Sequence, residues 1–147
     1  MLGLKPKAGA SPSASTFACG IFRFGLSAAY RLYSDSGITV FTMRDIDRHG
    51  VSHVIDEAIE RASRGTAGIH VSFDVDAIDP SEAQGVGTPK KGGLTYREAH
   101  LCLEIVADTQ KLTSIDMVEI NPILDTRNTT GELGAELILS ALGKRIF

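Results

Sequence analysis

The feature that most constrains this chain is the alternation, from about residue 36 onward, of strand-like runs with segments of helical length. Strand and helix patterns alternate over residues 38–42, 51–62, 69–75, 95–107, 112–120 and 130–142. Strands separated by helices pair in parallel through right-handed crossovers, and the helices cover the faces of the sheet. The sequence therefore predicts an α/β fold in the order β-α-β-α-β-α, with further strands needed to complete so small a parallel sheet.

Short polar signals mark where the later helices begin. Thr95 and Glu98 have the three-residue spacing of a capping box, and so do Thr129 and Glu132. Gly143 follows the last helical pattern, and glycine is the residue that most often ends a helix. We therefore expect helices to begin after Thr95 and after Thr129.

Composition excludes several classes of function. Fifteen Lys and Arg against 18 Asp and Glu give a net charge of −3, so the chain lacks the basic surface that binds nucleic acid or an anionic membrane. No apolar run is long enough to cross a bilayer. Cys19 and Cys102 are too few and too far apart for a disulfide framework, which favours a reducing, cytoplasmic setting.

The first residues differ from the rest of the chain. Residues 1–30 are rich in Ser, Ala, Gly and Lys, contain no Asp or Glu, and show no sustained helical or strand period. The whole chain of 147 residues suffices for one domain. We therefore expect a poorly ordered or unrelated N-terminal segment over 1–33 and the folded domain over 34–147.

Acidic side chains gather where the second strand ends. Asp74 and Asp76 are two residues apart, so on an extended chain both point the same way while Val75 points to the opposite face. Ligands of open parallel sheets bind outside the carboxyl ends of the strands, and carboxylate oxygens suit cations such as Mg, Ca or Mn. The pair is a candidate metal site, and the alternative is that the two acids cap local turns.

A second acidic pair lies near the end of the third strand. Asp116 and Glu119 fall within an otherwise apolar run, where an acid is costly to bury unless it is paired or used. Strict alternation would put them on opposite faces, so a shared site requires the strand to end or bulge between them. The alternative is a salt-bridged or exposed edge strand.

Four longer segments carry a resemblance to a known family. They are Ser72–Pro80 (SFDVDAIDP), Gly85–Pro89 (GVGTP), Gly92–Glu98 (GGLTYRE) and Val118–Pro122 (VEINP). In this order they closely resemble the arginase branch of the ureohydrolases, and the resemblance covers about residues 36–147. The motifs Ala77–Pro80 and Glu119–Asp125 look more like arginase than agmatinase.

The resemblance implies a three-layer α/β/α fold with a parallel sheet, two Mn(II) ions at its edge, and hydrolysis of L-arginine to L-ornithine and urea. Asp74 and Asp76 match metal ligands of the family, and Glu119 matches the carboxylate that orients the substrate guanidinium. Asp116 matches an acid beside the metals, so that it and Glu119 are the catalytic candidates. Thr88 matches a substrate-binding threonine of the active-site loop. The resemblance also implies a homo-oligomer whose partner is a small-molecule substrate.

The chain also departs from the family pattern. It contains neither the Gly-Asp-His nor the Asp-Ala-His-x-Asp segment that supplies the other metal ligands, and its four histidines match none of them. Where the family has an acidic stretch that contacts the substrate α-amino group, this chain has Phe24–Ala29. We therefore expect the C-terminal part of an arginase-like catalytic domain, incomplete at its N-terminal side. Such a truncated chain would have at most a partial manganese site and impaired or no activity alone.

Two other functions fit the same residues. The chain could be a non-catalytic interaction module derived from an arginase, binding intact subunits through its sheet edge and its last helix. It could instead be an agmatinase-like amidinohydrolase, which keeps the chemistry and changes the substrate. Contacts to the substrate α-amino group, which this chain lacks, are the feature that would distinguish L-arginine from agmatine.

Overall fold

The helices and strands of the molecule largely follow the alternation of its sequence. The computed structural model describes residues 2–6, 17–19 and 39–146. Its strands are Leu2–Pro6 (β1), Phe17–Cys19 (β2), Ile69–Asp74 (β3) and Leu112–Val118 (β4). Its helices are Met43–His49 (α1), Val51–Ala62 (α2), Tyr96–Asp108 (α3) and Thr129–Ala141 (α4), and a short 3-10 helix, Val75–Ala77, follows β3.

The described strands form one sheet in the order β2-β1-β3-β4. β3 and β4 are parallel, with Asp74 opposite Val118, and the connection between them contains α3. This arrangement confirms the α/β fold and the parallel pairing that the sequence predicts. β1 runs antiparallel to both of its neighbours, so the sheet as a whole is mixed, which the sequence patterns do not predict.

One face of β3 supplies the core of the molecule. Its alternate residues Ile69, Val71 and Phe73 are at most 1% exposed, as a period of two requires for a strand with one covered face. α2 packs against α3, and α3 packs against α4. The helix predicted over 51–62 is confirmed, and its buried stripe has the three- and four-residue spacing of an amphipathic helix, consisting of Val51, Val54, Ile55, Ala58, Ile59 and Ala62. The polar residues of β3 therefore lie on the other face of the sheet.

The strand predicted at 38–42 is wrong for its described residues, which form no strand, while Ile38 lies outside the described part. The physical reason is Asp45, whose carboxylate accepts hydrogen bonds of 2.7 Å from both the backbone N–H and the hydroxyl of Thr42. This capping box starts α1 immediately after the run. The apolar pattern arises because Phe41 packs against the core from a connecting segment.

The two predicted capping boxes have different outcomes. The box of Thr95 and Glu98 is confirmed, with both reciprocal hydrogen bonds present at the start of α3. The box of Thr129 and Glu132 is wrong, because α4 begins one residue earlier than that box requires. Its N-cap is Asn128, which has a left-handed backbone and makes no side-chain cap.

Asp125 caps α4 instead. Its two carboxylate oxygens accept hydrogen bonds from the backbone N–H groups of Thr130 and Gly131, each at 3.0 Å. Burial opposes ionisation of this carboxyl, but the hydrogen bonds from Thr130 and Gly131 outweigh it and lower its pKa. The capping role was hidden in the sequence because Asp125 lies four residues before the helix, outside the usual capping spacing.

Most of the N-terminal segment 1–33 lies outside the described residues. The division of the chain into 1–33 and 34–147 therefore stays a prediction. Within the described part of the chain, no helix is both long enough and apolar enough to cross a membrane.

A histidine is buried where α3 packs against α4. His100 has 0% exposure, and its Nδ1 atom lies 2.8 Å from the hydroxyl of Ser140. Its ring centre is 4.4 Å from that of Tyr96, whose hydroxyl donates to Glu136. The Nε2 atom is buried without a hydrogen-bond partner in the described part of the chain. Burial lowers the pKa of His100 and outweighs the opposite effect of the Glu136 and Glu104 carboxylates.

We predict that His100 makes the folded chain sensitive to mild acid. In the unfolded chain it takes up a proton near its ordinary pKa of 6.5, whereas in the folded chain the lowered pKa delays protonation. Stability is therefore full above the unfolded pKa and falls as the pH drops from 6.5 toward the folded pKa. In urea-unfolding experiments between about pH 7.5 and about pH 5.5, His100→Gln should lose less stability than the wild type.

The matched control is His53→Gln, because His53 is an exposed histidine of α2. That variant should keep the acid sensitivity of the wild type. An unchanged acid sensitivity in His100→Gln would contradict the prediction.

Candidate active site

β3 leads directly into the first two candidate residues. Asp74 ends the strand, and its Oδ1 atom accepts a 3.0 Å hydrogen bond from the backbone N–H of Asp76 in the short 3-10 helix. Val75, between them, is 0% exposed and belongs to the core. Both acids therefore lie at the carboxyl end of β3, and Asp74 also performs the turn-capping role that was the alternative to a metal site.

A loop that follows the 3-10 helix reaches back to Asp76. The hydroxyl of Thr88 donates a hydrogen bond to Oδ2 of Asp76. The other oxygen, Oδ1, is buried and has no hydrogen-bond partner among the described residues. A buried carboxylate oxygen without a partner carries a desolvation cost. A cation beside Oδ1 would remove that cost, so the arrangement favours cation binding by Asp76.

The same loop lies beside Glu119. β4 ends at Val118, and Glu119 has a φ of 69°, in the left-handed region that non-glycine residues rarely adopt. A Cβ atom placed on Gly87 would lie 3.8 Å from Oε2 of Glu119, which shows how close the glutamate carboxylate is to the loop. The strand thus ends between Asp116 and Glu119, which is the condition for a site shared by these two acids. A residue held in this rare conformation is a frequent feature of functional sites.

Asp116 lies further back on β4, opposite Ser72 of β3. Its Oδ2 atom is 3.4 Å from Nε2 of His70, and the Nδ1 atom of the same ring is 2.8 Å from the hydroxyl of Ser114. The side chain of Asp116 is 64% exposed, so its contact with His70 contributes little to stability. The structure therefore places Asp116 beside His70, a contact that matches the salt-bridged alternative for this strand.

The candidate metal ligands form a partial set. Among the described residues, no group of three or more His, Cys, Asp or Glu side chains is arranged to hold a metal ion. Asp74 and Asp76 supply carboxylate oxygens, which suit a hard or borderline divalent cation, and the unpartnered Oδ1 of Asp76 fits such an ion. The pair therefore fits manganese as part of a site whose other ligands these residues do not supply.

One residue that contacts the loop is not predicted as a site residue from the sequence. Thr130 is fully buried, and its hydroxyl accepts a hydrogen bond from the backbone N–H of Gly85. Thr130 was assigned only to the start of the last helix. A threonine at a helix start is so common that no sequence signal separates this contact from ordinary capping.

Known proteins resemble this chain over most of its length. The family model "Arginase family" matches residues 6–143. The arginase of Bacillus caldovelox is 46% identical over 112 residues, which are 76% of this chain and 38% of that protein. The chain thus spans less than two fifths of that relative's length.

Solved structures of arginases also match most of this chain. The crystal structure of arginase from Bacillus subtilis matches with a TM-score of 0.82 and 41% identity, covering 89% of this chain and 48% of that one. The structure of Entamoeba histolytica arginase in complex with L-ornithine matches with a TM-score of 0.76 and 30% identity, covering 87% of this chain and 43% of that one.

We predict that the Asp74–Asp76 pair binds a divalent cation weakly and that Asp76 dominates this binding. Titration with Mn(II), followed by the electron paramagnetic resonance signal of the free ion, should give about tenfold weaker binding for Asp76→Asn, because the buried Oδ1 loses its charge. Asp47→Asn, which changes an exposed aspartate of α1, is the matched control and should bind as the wild type does. Equal loss of binding in both variants would indicate only nonspecific attraction to an acidic surface.

Proposed function

The chain belongs to the arginase family, and we propose from this membership that its site is that of an arginase-type ureohydrolase, which hydrolyses L-arginine to L-ornithine and urea with manganese. The observation that carries the proposal is the loop at the sheet edge. Thr88 donates to Asp76, and Gly87 lies beside the carboxylate of Glu119. One loop thus joins the candidate metal ligands to the candidate substrate carboxylate.

Glu119 supplies the substrate contact in this proposal. Its side chain is exposed at the end of β4, where a ligand can reach it. A carboxylate and a guanidinium form two parallel charge-assisted hydrogen bonds, which fix orientation as well as position. Held in this way, the guanidinium carbon would face the end of β3, and such positioning lowers the barrier to attack.

Asp74 and Asp76 would hold the manganese. When bound, such ions lower the pKa of a coordinated water, so that hydroxide is available near neutral pH. Thr88 orients the Asp76 carboxylate by bonding one oxygen and leaving the buried one for the ion. Asp116, beside His70, adds negative charge on the same face of the sheet, which attracts a cationic substrate.

The chain alone would have impaired or no activity. It contributes one pair of carboxylates, and it contains neither histidine-bearing segment with which the family completes its metal site. Two ligands hold a metal ion far more weakly than a full set does. L-arginine is favoured over agmatine because the curated relative is an arginase. We assign the chain to the cytoplasm and to a homo-oligomeric family.

A second function is favoured by one observation. β4 is at one end of the described sheet, so its outer backbone groups have no strand partner among the described residues. Such an edge can accept a strand from another chain. A non-catalytic module that binds arginase subunits through this edge is therefore the second candidate.

Urea release tests the proposal. The purified chain, with excess Mn(II) and L-arginine, should release urea no faster than background, because two carboxylates are too few to hold two ions. Mixed with the N-terminal half of the Bacillus subtilis arginase, it should release urea. Glu119→Gln should lower that complemented rate by about 100-fold, the usual scale for losing one positioned electrostatic contact. Glu132→Gln, an exposed glutamate of α4, is the matched control.

Each other outcome contradicts a named part of the proposal. Rapid turnover by the chain alone, abolished by Asp76→Ala, would contradict the proposal that the chain holds only part of the metal site. A complemented reaction that is faster with agmatine than with L-arginine would contradict the proposal that L-arginine is the substrate. Binding of the two halves without any urea release would favour the interaction module.

A further inference from the structure

A buried threonine of α4 is hydrogen-bonded to the start of the Gly85–Thr88 loop. Thr130 is 0% exposed, and its hydroxyl accepts a 2.8 Å hydrogen bond from the backbone N–H of Gly85. The backbone N–H of Thr130 donates in turn to Asp125, at 3.0 Å. Because Asp125 holds the first turn of the helix, the hydroxyl that meets the loop has a fixed position.

The start of the loop is also tied to the segment that follows β4. The carbonyl of Gly85 accepts a 2.8 Å hydrogen bond from the backbone N–H of Asn121, and Val86 and Ile120 form an isolated antiparallel bridge. The fit leaves no room for a side chain on Gly85, since a Cβ atom there would lie 2.5 Å from Cβ of Asp125. These contacts therefore fix the position of Gly85.

The candidate site lies immediately beyond this anchored start. Gly87 is beside the Glu119 carboxylate, and the next residue, Thr88, donates to Asp76. Val86, which is 1% exposed, is the one residue between Gly85 and Gly87, and Thr88 follows directly. Any displacement of Gly85 is therefore transmitted to both ends of the site.

We propose that Thr130 is a positioning residue of the active site. By fixing Gly85, its hydroxyl sets where Thr88 meets Asp76 and where Gly87 meets Glu119. The role is indirect, because the hydroxyl contacts the loop backbone. This inference deepens the proposed function and rests on it.

The chain offers closely matched variants for the test. Thr130→Val keeps the shape of the side chain but leaves the buried N–H of Gly85 without its acceptor. Thr130→Ser keeps the hydroxyl. Thr109→Val is the control, because the Thr109 hydroxyl bonds to the carbonyl of Val106 at the end of α3, just before β4 begins and at the opposite end of that strand from the loop.

Two measurements on the metal-free chain decide the proposal. Amide hydrogen exchange at Gly85 should be about tenfold faster or more in Thr130→Val, since a buried N–H has lost its partner. The amide NMR signals of Thr88 and Glu119 should shift in the same variant. Thr130→Ser should restore the wild-type values, and Thr109→Val should leave them unchanged. In a separate titration with added Mn(II), the affinity should fall severalfold in Thr130→Val alone.

Faster exchange at Gly85 without any shift at Thr88 and Glu119 would reduce Thr130 to a structural residue and overturn the proposal. Unchanged exchange would overturn it as well. If the shifts occur while the wild-type chain binds no Mn(II), the proposed function fails. The conclusion that Thr130 positions the Gly85–Thr88 loop then still stands. If Thr130→Val does not fold, as judged by circular dichroism, Thr130→Cys replaces it, because a thiol is a weak acceptor.

Discussion

The candidate site depends on the hydrogen bonds that hold the Gly85–Thr88 loop between the ends of two parallel strands. Gly85 is bonded to Thr130 and Asn121, and Thr88 is bonded to Asp76. The acids at the end of β3 and the glutamate after β4 come from different strands, so no single stretch of sequence brings them together. The loop does so by contacting both.

Local signals predicted much of the fold because local forces dominate there. The helix over 51–62, the strand over 69–75 and the capping box of Thr95 each depend on residues a few positions apart. The antiparallel pairing of β1 with β3 joins residues more than sixty positions apart, and no local period encodes such a contact. Residues 39–42 form no strand for a related reason, because Asp45, outside the apolar run, starts α1 directly after it.

The sequence also predicted part of the site. The two-residue spacing of Asp74 and Asp76 and the family motifs point to these acids, and alternation along the strand indicates that Asp116 and Glu119 can share a site only if the strand ends or bulges between them. The roles of these residues remain proposals. Thr130 and Asp125 escaped detection because their contacts with Gly85 depend on how α4 packs against the loop.

Paramagnetic broadening by Mn(II) tests most directly whether Asp74, Asp76, Thr88 and Glu119 form one site. With substoichiometric Mn(II), the amide signals of Gly87, Thr88 and Glu119 should broaden first, whereas those of Leu112 at the opposite end of β4 should stay sharp. Asp76→Asn should remove the selective broadening. Broadening that is strongest among the exposed acids of α2, or that leaves Glu119 sharp while Thr88 broadens, would contradict a single site.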